Sequence, residues 1–161
     1  MARMGVVIVI GAIIGSMLLA NFVYMQYQTN FIEVNEGETV MVGPVEYIIT
    51  FEGTHEGDKE TRPENTFLKI GIIAKNVSDE NTAMSGGQFF LVDEKDQNHK
   101  AVFGEFSAKD LWLVGLEPNN PVEVTTQFDI PFDEDENYKI IIRPQKDQST
   151  VDTASICLTN C

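Results

Sequence analysis

Residues 121–130 read Pro-Val-Glu-Val-Thr-Thr-Gln-Phe-Asp-Ile, with Val122, Val124, Thr126, Phe128 and Ile130 alternating with Glu123, Thr125, Gln127 and Asp129. A strand turns successive side chains to opposite faces, so this period of two predicts one buried face and one facing solvent. The pattern recurs upstream and downstream. Val45, Tyr47, Ile49 and Phe51 form one set, Leu68, Ile70, Ile72 and Ala74 a second, and Tyr138, Ile140 and Ile142 a third. Shorter candidate strands are Thr39–Val42, Gln88–Asp93 and Lys100–Phe103, with Gly86-Gly87 as a bend entering the second of them. Polar turn clusters at 76–81, 93–98 and 118–121 separate these runs. About seven short half-buried strands predict an all-β, antiparallel β-sandwich. No stretch of this region has a helical period; Ser107–Trp112 has room for one turn.

Upstream, Val6 to Tyr24 carry no charge and one clearly polar residue, Asn21. As a helix they span roughly 29 Å, against a hydrocarbon core of about 30 Å. This length predicts a retained transmembrane anchor in contact with the lipid bilayer, because the apolar core of a signal peptide is shorter and Leu18 spoils a cleavage site after Ala20. Phe22, Tyr24 and Tyr27 fit an interfacial aromatic belt, and Arg3, the only basic residue before Lys59, predicts a cytoplasmic N-terminus. Gly11 and Gly15 form a small-xxx-small pattern that would let two such helices pair. The organisation expected is an anchor at 1–28, a linker at 29–36, the sandwich at 37–145 and a tail at 146–161.

The chain holds 25 Asp and Glu against 11 Lys and Arg, and every acid lies after residue 32. Clustered cations are what nucleic-acid binding requires, so nucleic acid is excluded as a partner. Anionic headgroups should be repelled by this acidic surface as well. Both cysteines, Cys157 and Cys161, fall at the end of the chain. In an oxidising space they form one disulfide if the chain turns back on itself, and otherwise remain two idle thiols.

The segments Gly37–Thr50, Asn65–Glu80, Phe89–Lys100 and Leu116–Pro144 follow one another in an order and spacing that resembles the telokin-like, immunoglobulin-like domains of prokaryotic surface proteins and lipoproteins. Departures are Asn119-Asn120, where that family has Pro-Gly, and Lys95-Asp96-Gln97, which lacks the usual turn glycine. The resemblance covers about residues 37–144. It implies an immunoglobulin-like sandwich, extracellular and anchored, with no catalytic residues and no cofactor.

Candidate chemistry is sparse. Asp129, Asp133, Glu134, Asp135 and Glu136 could supply oxygen ligands to calcium, but without the spacing of a binding loop. Two histidines, His55 and His99, are too few for a zinc site. Neither a nucleophile elbow nor a phosphate-binding glycine loop follows a strand, so an enzyme is not expected. Asn76-Val77-Ser78 is a glycosylation sequon on a turn. The apolar run Leu111, Trp112, Leu113, Val114 and Leu116 lies between Asp110 and Glu117, and is either a core plug or a partner interface. The reading is a single-pass, non-catalytic accessory module that binds a protein of the membrane or cell envelope. The alternative is a pilin- or archaellin-like filament subunit that self-associates. That architecture shares the short leader Met1–Gly5, but Met4-Gly5 replaces the usual basic residue and glycine, and no Glu follows in the helix.

Overall fold

The longest ladders lie where alternation is cleanest. In the computed structural model, which describes residues 2–26 and 30–161, β3 (Val45–His55) pairs antiparallel with β4 (Thr66–Asn76), and β4 with β9 (Pro121–Ile130). β2 (Thr39–Val42) adds at the β3 edge and completes a four-stranded sheet in the order β2-β3-β4-β9. The inward sets match the sequence periodicity. Tyr47, Ile49, Leu68, Ile70, Ile72, Phe128 and Ile130 are wholly buried. The β3 register shifts between Phe51 and Gly53. Gly53 has φ 99°, a backbone that only glycine adopts without strain, and so accommodates the bulge.

The facing sheet has five strands in the order β1-β11-β10-β6-β7. They are β1 (Asn30–Asn35), β6 (Phe89–Val92), β7 (Asn98–Lys100), β10 (Tyr138–Ile142) and β11 (Asp152–Thr159). Phe89, Leu91, Tyr138, Ile140, Ile142, Ala154 and Ile156 point from it into the shared core, where Tyr47 meets Phe89 edge-on at 5.9 Å. A ribbon of β5 (Thr82–Ser85) and β8 (Leu113–Leu116) lies outside both sheets. A 3-10 turn at Gly86–Gln88 replaces the expected bend before β6.

Two expected boundaries are corrected. The linker 29–36 contains β1, and the tail 146–161 contains β11, which lies between β1 and β10 within the sheet. The sandwich therefore runs from Asn30 to Thr159. Ala154 and Ile156 are fully buried and Leu158 nearly so, so removing this strand would open the core. The β1–β11 pairing is parallel, with Asn30 opposite Asp152 and Asn35 opposite Cys157, a departure from an all-antiparallel sheet. At its foot Asn30 Nδ2 donates to Asp152 Oδ1 at 3.1 Å. That bond, with others from Ser149 and Gly43, holds the Asp152 carboxyl below its ordinary pKa.

The helix α1 (Ala2–Gln26) precedes β1, and its segment Val7–Met25 is long and apolar enough to cross a membrane. Tyr27 and the side chain of Arg3 lie outside the described residues. Gly11 and Gly15 have open space around them on the helix surface.

Charge is sorted by topology. Four connections lie at the end of the sandwich opposite the foot of β1: 36–38, 56–65, 93–97 and 131–137. They carry 13 of the chain's 25 acids against three cations, Lys59, Arg62 and Lys95. The acidity read from composition is therefore concentrated at one pole.

Candidate docking surface

The segment between β7 and β8 crosses from one sheet to the other and is fixed by β9. Val102 N–H donates to the Gln127 carbonyl at 2.7 Å, and Leu111 N–H to the Thr125 carbonyl at 2.8 Å. The Asp110 carboxylate accepts from Phe106 N–H, Ser107 N–H, Ser107 Oγ and Thr125 Oγ1, which makes a tight turn where one helical turn was allowed for. The run that follows splits in two. Leu111 and Leu116 enter the core, and Val114 packs against its edge. Trp112 and Leu113 face outward, 60% and 70% exposed.

Trp112 is therefore not a core plug, and three of the five expected interface residues, Leu111, Val114 and Leu116, are structural. The exposed pair gains a neighbour that the sequence reading missed: Phe103, 48% exposed, lies 5.7 Å from the Trp112 ring. Gly86 holds this arrangement, because a Cβ there would stand 2.7 Å from the Phe103 ring. Phe103 and Trp112 thus form an aromatic ledge beside the ribbon, next to the exposed Leu113 that opens β8. Phe103 ended the Lys100–Phe103 strand candidate; β7 in fact closes at Lys100, which frees it to turn outward.

The other expected sites take different positions. Asn76 is fully buried. Its Nδ2 donates to the carbonyls of Glu80 (2.7 Å) and Leu116 (3.0 Å), while Oδ1 accepts from Ser78 N–H (3.0 Å) and Ser78 Oγ (2.8 Å). The amide that would carry a glycan instead joins β4 to β8, so the sequon reading is corrected.

The acidic run is divided among structural tasks. Asp129 accepts from the backbone N–H groups of Glu64 and Asn65, Asp133 from that of Asp135, and Glu136 from the Tyr138 hydroxyl. Burial, with the Glu136 and Asp133 charges beside it, pushes the Tyr138 hydroxyl up to about 12. Among the described residues no three His, Cys, Asp or Glu side chains come together as a metal site.

Cys157 and Cys161 are joined, their Cα atoms 5.8 Å apart. The chain reverses through Asn160, at φ 49°, whose side chain donates to the Glu134 carbonyl at 2.7 Å. His55 stands between Phe67 and Phe106, with ring centroids 5.2 and 5.4 Å away, and its Nδ1 accepts from Gly57 N–H. Burial foremost, then the Lys69 charge, lowers its pKa. Nearby, Ser107 Oγ donates to Asp110 Oδ1 at 2.8 Å.

A family model matches residues 34–151, most of the chain. The chain belongs to the DUF4352 family. That family is described as a domain of unknown function. The DUF4352 match ends just before β11 and begins inside β1, so the two strands that complete the five-stranded sheet lie largely outside it.

Solved β-structures resemble this DUF4352 chain across the sandwich. The yjhA protein of Bacillus subtilis is similar at TM-score 0.61 and 17% identity, covering 77% of this chain and 98% of its own. MPT63, a secreted protein of Mycobacterium tuberculosis, is similar at 0.60 and 5% identity, covering 80% and 97%. A candidate lipoprotein of B. subtilis, ycdA, is similar at 0.56 and 14% identity, covering 77% of this chain and 38% of that one. At such identities the likeness is one of fold. No curated protein matches the chain.

Proposed function

We propose that this DUF4352 chain is a non-catalytic contact module held at the outer surface of a membrane. The helix crosses the bilayer with Arg3 on the cytoplasmic side, and the sandwich docks on a neighbour at the membrane or envelope through Phe103, Trp112 and Leu113. One observation carries the reading: two large aromatic side chains, Phe103 and Trp112, are exposed against each other on an otherwise acidic domain, with the next residue, Leu113, exposed as well. Soluble surfaces scatter exposed apolar residues singly, and aromatic clusters concentrate where partners meet. Phe31, Met41 and Ile73 are exposed too, but on separate strands. The secreted or lipoprotein character of the structural relatives supports a position outside the cytoplasm.

Replacing Leu113 by a photoreactive amino acid in the full chain, in its native membrane, tests this. An adduct with a neighbouring molecule is expected on illumination. Quenching by water alone, with no adduct, would overturn it.

A further inference from the structure

We propose that the outer face of the five-stranded sheet and the ledge beside it dock on the anionic headgroup surface of the bilayer that holds α1. This rests on reading the ledge as a docking surface, and it names what the ledge meets.

Register shows how the face is charged. Lys139 and Ile141 on β10, Phe90 and Val92 on β6, and Lys100 on β7 point away from the core. Arg143 follows β10, with its guanidinium 4.9 Å over the Phe90 ring. Glu33, on the edge strand β1, is the one acid among the outward positions of these five strands. The cations Lys100, Lys139 and Arg143 form no ion pair among the described residues; the pairs present involve Lys69, His99 and Lys109. A shallow depression of about 280 Å³ between Phe90, Lys100 and Phe103 makes face and ledge continuous. A domain with a strong acid excess thus presents one surface on which cations and aromatic rings are interleaved. That composition partitions into an anionic interface.

Chain length brings this surface to the bilayer. Three residues separate Gln26 from Asn30, a reach of roughly 14 Å at most. Phe31 lies one residue above the foot of β1, opposite Thr153, and Ile142 opposite Ala154, which puts Arg143 in the same low row. The acidic pole is at the far end of the strands, so repulsion from anionic lipid tilts that pole away and brings down the lower part of this face, with Arg143, Lys100 and the ledge; Lys139 lies higher, in a depression shared with Glu33 and Glu38. An acidic protein surface has complementary charge as well, but nothing holds one within reach as the tether holds the bilayer.

Trp112 is the chain's only tryptophan, so its fluorescence reports the ledge alone. The full chain is reconstituted into vesicles of brominated phosphatidylcholine, with or without an equal part of phosphatidylglycerol. With phosphatidylglycerol, emission is expected to move to shorter wavelength and lose intensity to the bromines. Lys100→Gln/Lys139→Gln/Arg143→Gln should return it to the level without anionic lipid, each charge contributing about fivefold to the partition. Emission that stays water-like and unquenched in anionic vesicles overturns the proposal. So does quenching that ignores both phosphatidylglycerol and the triple variant. If Leu113 adducts form with a protein while Trp112 stays unquenched by lipid, the contact reading stands and the lipid one falls.

Discussion

Asn76 and Trp112 occupy each other's expected places. The polar residue, on what reads as an exposed turn, is wholly buried; the largest apolar residue, inside an apolar run, is exposed. Both outcomes follow from the backbone groups nearby. Where β4 ends and β8 passes, the buried Leu116 carbonyl and the part-buried Glu80 carbonyl and Ser78 N–H need partners, and one carboxamide satisfies all three. At Trp112 the backbone is already committed, its carbonyl accepting from Gly86 N–H, and the core beneath is filled by Leu111 and Leu116. Hydrogen-bond demand can draw a polar residue inward, and a filled core can leave an apolar one outside.

The most direct attempt to break this contrast is Asn76→Ala. It leaves the buried Leu116 carbonyl and two part-buried groups unpaired, at about 1–3 kcal/mol for a buried group, so a loss of about 2–4 kcal/mol is expected, read as a fall in melting temperature of roughly 10 °C. Asn76→Asp keeps the acceptor and loses the donors, so it should fall between. A melting point unchanged in Asn76→Ala would show that the corner does not depend on its carboxamide. Next in size is the terminal disulfide. Cys157→Ser/Cys161→Ser releases a five-residue loop, for which loop entropy predicts about 2 kcal/mol. Denaturant melts with and without reductant check it, and only the parent should respond.

His55 is intermediate, a polar ring half-enclosed by Phe67 and Phe106. Its folded pKa lies below the unfolded value of about 6.5, so the folded state binds fewer protons. Stability is then full above that pH and declines as pH falls through the lower folded value. The carboxyls of Asp93 and Asp152 are also held low, and their loss belongs to the range below about 4. Melting points should therefore drop between neutral pH and pH 5 in the parent, and less in His55→Gln; equal slopes would remove His55 as the cause. The smallest effect expected is the counterpart of the first. Trp112→Ala should change stability by no more than about 0.5 kcal/mol, as for an exposed site, while removing the contact seen by the Leu113 probe. A loss of several kcal/mol would return Trp112 to the core.

Strands that alternate large apolar with polar residues were legible, because β3, β4, β9 and β10 each turn their large apolar set to one face; that Thr125 and Gln127, expected to face solvent, are buried was not, because the β7–β8 segment covers them. β1 and β11 were not. In β11 the inward Ala154, Ile156 and Leu158 alternate with Thr153, Ser155 and Cys157, a weak contrast of small residues. Its parallel partner lies 122 positions away at Asn30, and nothing local announces that pairing. The ledge was half legible: the apolar run is visible, but which members turn outward depends on Leu111 being tied to Thr125 and on Phe103 arriving from another segment. The carboxylates at 129–136 suggested a cation, yet most have backbone or hydroxyl donors that only the folded turn supplies.

The parallel β1–β11 ladder also decides how the domain bears load. If α1 spans the membrane as proposed, the sandwich is held by a neighbour and the membrane moves, tension enters through α1 at the foot of β1 and runs along that strand. The ladder then resists in shear, with the hydrogen bonds from Asn30 to Glu36 opposing the pull together. An antiparallel hairpin pulled from its open end would instead unzip one bond at a time. β1 is thus placed to act as a mechanical clamp, bonded along its length to an inner strand of the sheet.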